Sequence, residues 1–218
     1  MFSWGWLRRF MQRGHLSLRK PTSGAVKPQA EVIAKAVEFV EEVKELIIQG
    51  IYDVDYVINL DETGISTESS RWKTLNSKGE SHIKVMTKNK SKESTTVLIG
   101  GSMSGEKLPG LLIFGDKGVK RLKADPPANL RIYHREEGSW MDRTVMLWYI
   151  RNVLGPWARK IPEGKRALLL YDNFKGHYSE EIEKALQERR IDMKLFPPHS
   201  TGMLQPMDLC VNCPFLPV

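Results

Sequence analysis

Three aspartates in this 218-residue chain stand where carboxylates can do chemistry: Asp61, Asp172 and Asp208. Asp61 follows the apolar run Val57-Ile58-Asn59-Leu60 and Asp172 follows Leu168-Leu169-Leu170-Tyr171, whereas Asp208 closes the stretch LFPPHSTGMLQPMD. A buried strand is a rigid post, and open α/β sheets place their ligands at the C-terminal ends of strands. Three converging carboxylates supply the hard oxygen donors that a pair of Mg²⁺ or Mn²⁺ ions needs. Two such ions about 4 Å apart stabilise both the attacking and the leaving oxygen of a phosphoryl transfer. Without cations the same cluster would repel itself strongly. Ordinary strand-end and cap aspartates occupy similar places in a chain with 26 acids, so position alone leaves both readings open.

The elements that must position these acids follow from hydrophobic periodicity. VINL, TTVLIG (Thr95 to Gly100), LLIF (Leu111 to Phe114), ALLLY (Ala167 to Tyr171) and MKLF (Met193 to Phe196) read as strands, the second and third joined as a hairpin by GSMSGEKLPG. ALLLY is continuously apolar, as an interior strand is. A helix is expected from about Asp142 to Lys160, and another after the cap Ser179, with Glu180 and Glu181 in its first turn. Residues 30 to 50 form the clearest helix, with Ile33, Val37, Val40 and Ile47 as its stripe, Val43 at the edge and Gly50 at its end. Strand, hairpin, helix, strand, helix, strand builds an α/β domain with a mixed sheet, starting near residue 51. Glu62 is expected to face away from Asp61, because successive strand side chains alternate.

The net charge of +7 is unevenly placed: residues 1–30 hold Arg8, Arg9, Arg13, Arg19, Lys20 and Lys27 and no acid. A basic arm on a near-neutral body points to a polyanion. Such a start also has the composition of a mitochondrial transit peptide. Trp4, Trp6, Leu7 and Phe10 fit a small packed core better. GWLRRFMQRGHLSLRKPTS reads as two short helices around a turn at Arg13-Gly14, which is either a DNA-reading pair or an amphipathic hairpin with a solvated charged face. Lys84, Lys88, Lys90 and Lys92 either track a phosphate backbone or form a solvated loop. No run approaches the roughly 20 apolar residues that span a bilayer. Cys210 and Cys213, a lone C-x-x-C, lack the second pair that a structural zinc site requires and are expected to be reduced and incidental.

NLDETGI around Asp61, LLLYDNFKGH around Asp172 and LFPPHSTGMLQPMD ending at Asp208, with 35 residues between the last two acids, together resemble the DDE/DDD superfamily endonucleases. Specifically, they resemble transposases of the pogo–Tigger branch of the mariner superfamily, whose domesticated relatives include centromere protein B and jerky-like proteins. The resemblance covers most of the chain. It implies an RNase H-like mixed sheet flanked by helices and preceded by a partial helix-turn-helix. The implied division is residues 1–25 as that DNA-binding segment, 26–50 as linker and helix, and 51–218 as a catalytic domain truncated at its C-terminus. Asp61, Asp172 and Asp208 become the catalytic, metal-binding triad for a two-ion Mg²⁺ (or Mn²⁺) site. Asn173 and His177 either orient Asp172 or a phosphate, or hold the turn, and Gln205-Pro206 positions the loop before Asp208. Arg8, Arg9, Arg13, Arg19 and Lys20 become the DNA-binding residues.

The implied partner is double-stranded DNA, at transposon terminal repeats or derived sites. The implied location is the nucleus, and a homo-oligomer is left open. The chain stops ten residues past Asp208, and Pro214 and Pro217 oppose a long helix there. Two functional classes are therefore carried forward. One is a metal-dependent transposase or endonuclease. The other is a domesticated or decayed, catalytically inactive DNA-binding protein. A different metal-dependent nuclease of the RNase H-like class is a third reading.

Overall fold

The structure is a computed structural model that describes residues 3–19, 30–66, 74–77, 94–115, 125–172 and 179–211. In chain order its elements begin with α1 (Trp4–Arg13), β1 (Leu16–Arg19), α2 (Ala30–Ile48), β2 (Tyr52–Ser66), β3 (Thr74–Ser77), β4 (Ser94–Ser102), β5 (Gly110–Gly115) and β6 (Leu130–Arg135). Then come α3 (Arg143–Tyr149), a π-helical segment (Ile150–Leu154), α4 (Gly155–Ala158), β7 (Arg166–Tyr171), α5 (Glu180–Gln187), β8 (Ile191–Leu195), α6 (Thr201–Leu204) and a second π-helical segment (Met207–Val211). They fall into two compact units: α1, β1 and β3 form one, and the remaining described elements form the other.

In the smaller unit, the Ser3 hydroxyl caps α1 by accepting from the Trp6 N–H at 3.2 Å, and Gly14 closes its end. The next segment is a strand and not the expected second helix. Leu16-Ser17-Leu18-Arg19 alternates with period two and pairs antiparallel with Thr74–Ser77, a partner that lies far along the chain and outvotes local helical spacing. The expected small core is not formed among the described residues: no α1 side chain is buried, and Trp6 and Phe10 stack on the surface with ring centroids 5.4 Å apart.

In the larger unit the strand order is β6-β5-β4-β2-β7-β8. β4 is antiparallel to both β2 and β5, while β2–β7, β7–β8 and β5–β6 are parallel. The hairpin is therefore as expected, and ALLLY is interior. Side-chain alternation sorts the two faces. Ile58, Leu60, Leu169 and Tyr171 pack with Tyr149, Ile150, Leu154, Ile182 and Leu186 in the main core, beneath α3, the first π segment and α5. Val57 and Leu168 point the other way and pack with Phe39, Val43 and Phe196 beneath α2. Each fully buried aliphatic side chain contributes about 2 kcal/mol. Gly100 permits the tight β2–β4 contact, since a Cβ there would lie 2.2 Å from a Leu60 methyl.

Three local expectations change. α2 buries Ala36, Phe39 and Val43, while Ile33, Val37 and Val40 are exposed, so the buried stripe is rotated from the expected one. The helix expected from Asp142 to Lys160 begins at that cap but passes through a π turn, in which the Gly155 N–H bonds to the Ile150 carbonyl. Pro156, which has no N–H to give to Asn152, sits just beyond that turn. Finally, β2 does not stop at Leu60. It runs through Asp61 and Glu62 to Ser66, because β4 pairs with it residue for residue from Ile58 to Ser66.

Candidate active site

β2 and β7 run parallel, with Ile58 opposite Leu169 and Asn59 opposite Leu170. Two residues further along each strand stand Asp61 and Asp172, so the pairing sets these acids at one level on adjacent strands, which are spaced about 4.8 Å apart. Asp172 lies just past the end of its strand, as expected. Asp61 lies inside its strand, with its backbone opposite Ile99.

Asp61 is 7 % exposed, on the face that carries Asn59. Burial raises its carboxyl to about 7, a hydrogen bond from Gln205 opposes the rise, and the nearby charges of Asp208 and Glu62 add to it. Asp61 and Asp208 also share a side-chain hydrogen bond. Two carboxyls in such contact hold a proton between them or require a cation.

Asp208 is the second residue of the Met207–Val211 segment, and its approach to β2 is fixed from the sequence before it. Ser200 is fully buried and donates to the Pro197 carbonyl at 2.6 Å, closing the turn into α6. The first residue of α6, Thr201, donates to Asp172 Oδ1 at 3.2 Å. Gln205, also fully buried, donates through Nε2 to the Leu60 carbonyl at 3.0 Å and accepts from Asn59 Nδ2 at 3.1 Å. Asn59 also donates to the Leu170 carbonyl at 2.9 Å, bridging β2 to β7. The loop expected to be positioned by Gln205 is thus tied to both acid-bearing strands.

Glu62 takes the opposite face, as strand alternation predicts. It accepts a hydrogen bond from the hydroxyl of Tyr171. Burial raises the Glu62 carboxyl to about 7, the Tyr171 hydroxyl opposes the rise, and the charge of Asp172 adds to it. Tyr171 is itself pushed well above its ordinary value, by burial first and by Glu62 next. The neighbours of Asp61 and Asp172 in sequence are therefore bonded to each other across the strand pair.

Asp61, Glu62, Asp172 and Asp208 all line one open cavity of about 410 Å³, with Thr96, Trp140, Met141 and Thr201 completing much of its wall. Among the described residues no three acids, histidines or cysteines are already gathered as a ready-made metal centre. The donor set nevertheless fits a hard divalent cation: all oxygen, crowded with like charge, and open to solvent on one side.

A family model described as DDE superfamily endonuclease matches residues 92–215, more than half of the chain. The chain belongs to that family. The match includes Asp172 and Asp208, and Asp61 lies upstream of it. The human and mouse proteins described as pogo transposable element with KRAB domain are each 28% identical to this DDE-family chain over 215 residues. Those matches cover 97% of the chain, which spans about a third of the length of these curated relatives (34% of each).

Among solved structures, a pre-cleavage Mos1 transpososome matches with a TM-score of 0.54 at 14% identity, covering 94% of this chain and 54% of that one. A Mos1 transposase paired-end complex with the left transposon end matches with a TM-score of 0.52 at 12% identity, covering 93% and 53%. At these identities the likeness is one of fold. The DDE-family chain has the RNase H-like mixed sheet flanked by helices that its motifs implied.

Other expected site residues divide by location. Arg8, Arg9 and Arg13 are exposed on α1. Arg19 lies in β1, and its side chain is outside the described residues, as are Lys20, Asn173, His177, Lys84, Lys88, Lys90, Lys92 and Cys213. Cys210 is a free, exposed thiol. Sequence reasoning missed Thr201, Tyr171 and Trp140. Tyr171 was legible as a core residue of ALLLY, but nothing local signals that its hydroxyl reaches Glu62.

Proposed function

We propose that this DDE-family chain is a transposase-derived, metal-dependent DNA endonuclease and strand-transfer domain that acts on double-stranded DNA at transposon ends or sites derived from them. One observation carries this reading: Asp61 and Asp172 stand level on adjacent parallel strands, with Asp208 hydrogen-bonded to Asp61, along one open cavity. In this reading Asp61, Asp172 and Asp208 hold two Mg²⁺ or Mn²⁺ ions. When bound, those ions supply charge stabilisation and an activated oxygen nucleophile for phosphodiester cleavage.

The chain's own residues then have distinct tasks. Asp61, whose carboxyl burial raises, gives up its proton, so that its oxygens and those of Asp208 face the cavity. Thr201 fixes one oxygen of Asp172, leaving the other to bind. Gln205 keeps Asp61 in register with Asp208 by holding the Leu60 backbone. Arg8, Arg9 and Arg13, with Arg19 and Lys20, contact DNA phosphates and release counterions as they do so. With DNA as the proposed substrate, the nucleus is the proposed location. The names of similar proteins, which include a transpososome and a paired-end complex with a transposon end, support DNA as the partner.

The test is nicking of supercoiled plasmid in Mn²⁺, by the wild-type chain and by Asp172→Asn. Nicking by the wild type, reduced at least a hundredfold in Asp172→Asn, is the expected result. DNA binding with no nicking in either would favour the inactive DNA-binding relative.

A further inference from the structure

Trp140 has no task in cation binding, yet it stands in the wall of the acidic cavity. It is 55 % exposed, unusual for a large aromatic side chain held in one place. Its position is fixed from two sides. The Arg135 guanidinium lies over the ring, 4.8 Å from its centroid. Gly138, at φ +69°, lies against the six-membered ring so closely that a Cβ there would come within 1.7 Å of Cζ3.

Arg135 is itself immobilised. Its Nε donates to the Glu137 carbonyl at 3.1 Å and its Nη1 to the Trp140 carbonyl at 3.2 Å, and it pairs with Asp142, the cap of α3. Asp142 accepts from the Val145 N–H at 2.9 Å, so the cluster is rooted in the helix that covers the main core. A tryptophan braced by a cation, backed by glycine and open toward a cavity is built as a stacking surface. Packing needs are met elsewhere, and Trp140 fills no core void.

We infer that Trp140 is a stacking platform for an unpaired nucleobase beside the scissile phosphate. The inference rests on the reading of the cavity as a DNA-cleaving site and adds a preference to it. Bases inside a duplex have both faces covered by their neighbours, so an indole at the cavity wall can engage only a base that has left the stack. Stacking is indifferent to base identity, because every base has a π face. Trp140 therefore favours local distortion of the DNA at the cleavage point and is neutral toward its sequence.

The experiment is equilibrium binding of the full chain to two fluorescein-labelled duplexes of equal length, in Ca²⁺ to hold cleavage off. One duplex is fully paired, and the other carries a single unpaired 2-aminopurine. Wild type is expected to bind the second about tenfold more tightly, with its 2-aminopurine emission quenched on binding. Trp140→Ala should remove that preference and the quenching while leaving affinity for the paired duplex unchanged, and Trp140→Phe should keep most of both. Equal binding of the two duplexes by wild type, or equal loss for both in Trp140→Ala, would overturn the stacking role alone. Failure of the wild type to bind either duplex would overturn the DNA reading of the site and the inference with it. Far-ultraviolet circular dichroism of each variant confirms that it is folded.

Discussion

Replacing Asp61 by asparagine is expected to make the metal-free protein more stable at neutral and alkaline pH, although it removes a central residue of the proposed site. Burial raises the Asp61 carboxyl to about 7 from its ordinary 3.8, and Glu62 is raised to about 7 from 4.5. Between these limits the unfolded chain has released protons that the folded chain keeps. The folded state then binds more protons, so stability is fully present below about pH 4, falls as pH rises, and levels off above about pH 7. The combined fall is about 8 kcal/mol, somewhat more than half of it from Asp61. Asp61→Asn removes that share, so its melting temperature at pH 8 should exceed that of wild type by about 10 °C, with the gap closing near pH 4. Saturating Mg²⁺ should reverse the order, because it stabilises a folded state that binds it. Parallel pH profiles for the two proteins would show that Asp61 carries no such stored repulsion.

Gln205→Ala is expected to be among the most damaging single substitutions in the larger unit. The side chain is fully buried and makes two hydrogen bonds of 3.0 and 3.1 Å to the Leu60 carbonyl and the Asn59 amide, beside its bond to Asp61. Its loss removes these bonds, leaving Asn59 only its bonds to the Leu170 and Leu60 carbonyls, and opens a cavity, together costing about 2–4 kcal/mol. Gln205→Leu refills most of the volume without restoring a single hydrogen bond. Urea denaturation should therefore place Gln205→Leu little above Gln205→Ala. Divalent-cation affinity should fall at least about tenfold in both, as when the residues supporting a metal ligand are removed. Recovery of near wild-type stability in Gln205→Leu would mean that packing, and not the amide network, holds this segment.

The strands that bear Asp61 and Asp172 were legible because their apolar runs are dense and end in abrupt polarity. The caps Asp142 and Ser179 were legible because capping is local chemistry. What escaped depends on partners remote in sequence. The extension of β2 through Asp-Glu-Thr-Gly opposes local β propensity and is imposed by pairing with β4. Leu16–Arg19 became a strand for the same reason, with a partner more than fifty residues away.

The buried face of α2 was misjudged because it carries apolar residues on two stripes, and the stripe containing Phe39 meets Phe196 at 5.3 Å between ring centroids. At the site, the three aspartates and the alternation that sends Glu62 to Tyr171 were readable. The grip of Gln205 on Leu60 and Asn59, and the presence of Trp140 in the cavity wall, exist only once the strands are assembled.

Asp61, Asp172 and Asp208 are expected to act together on divalent cations. Calorimetric titration of Mn²⁺ into the wild-type chain, Asp61→Asn and Asp172→Asn tests this most directly and needs no knowledge of a DNA site. Saturable binding by the wild type and a loss of at least a hundredfold in each variant are expected. A folded wild-type chain that takes up no Mn²⁺, or variants that bind as wild type does, would contradict such joint action.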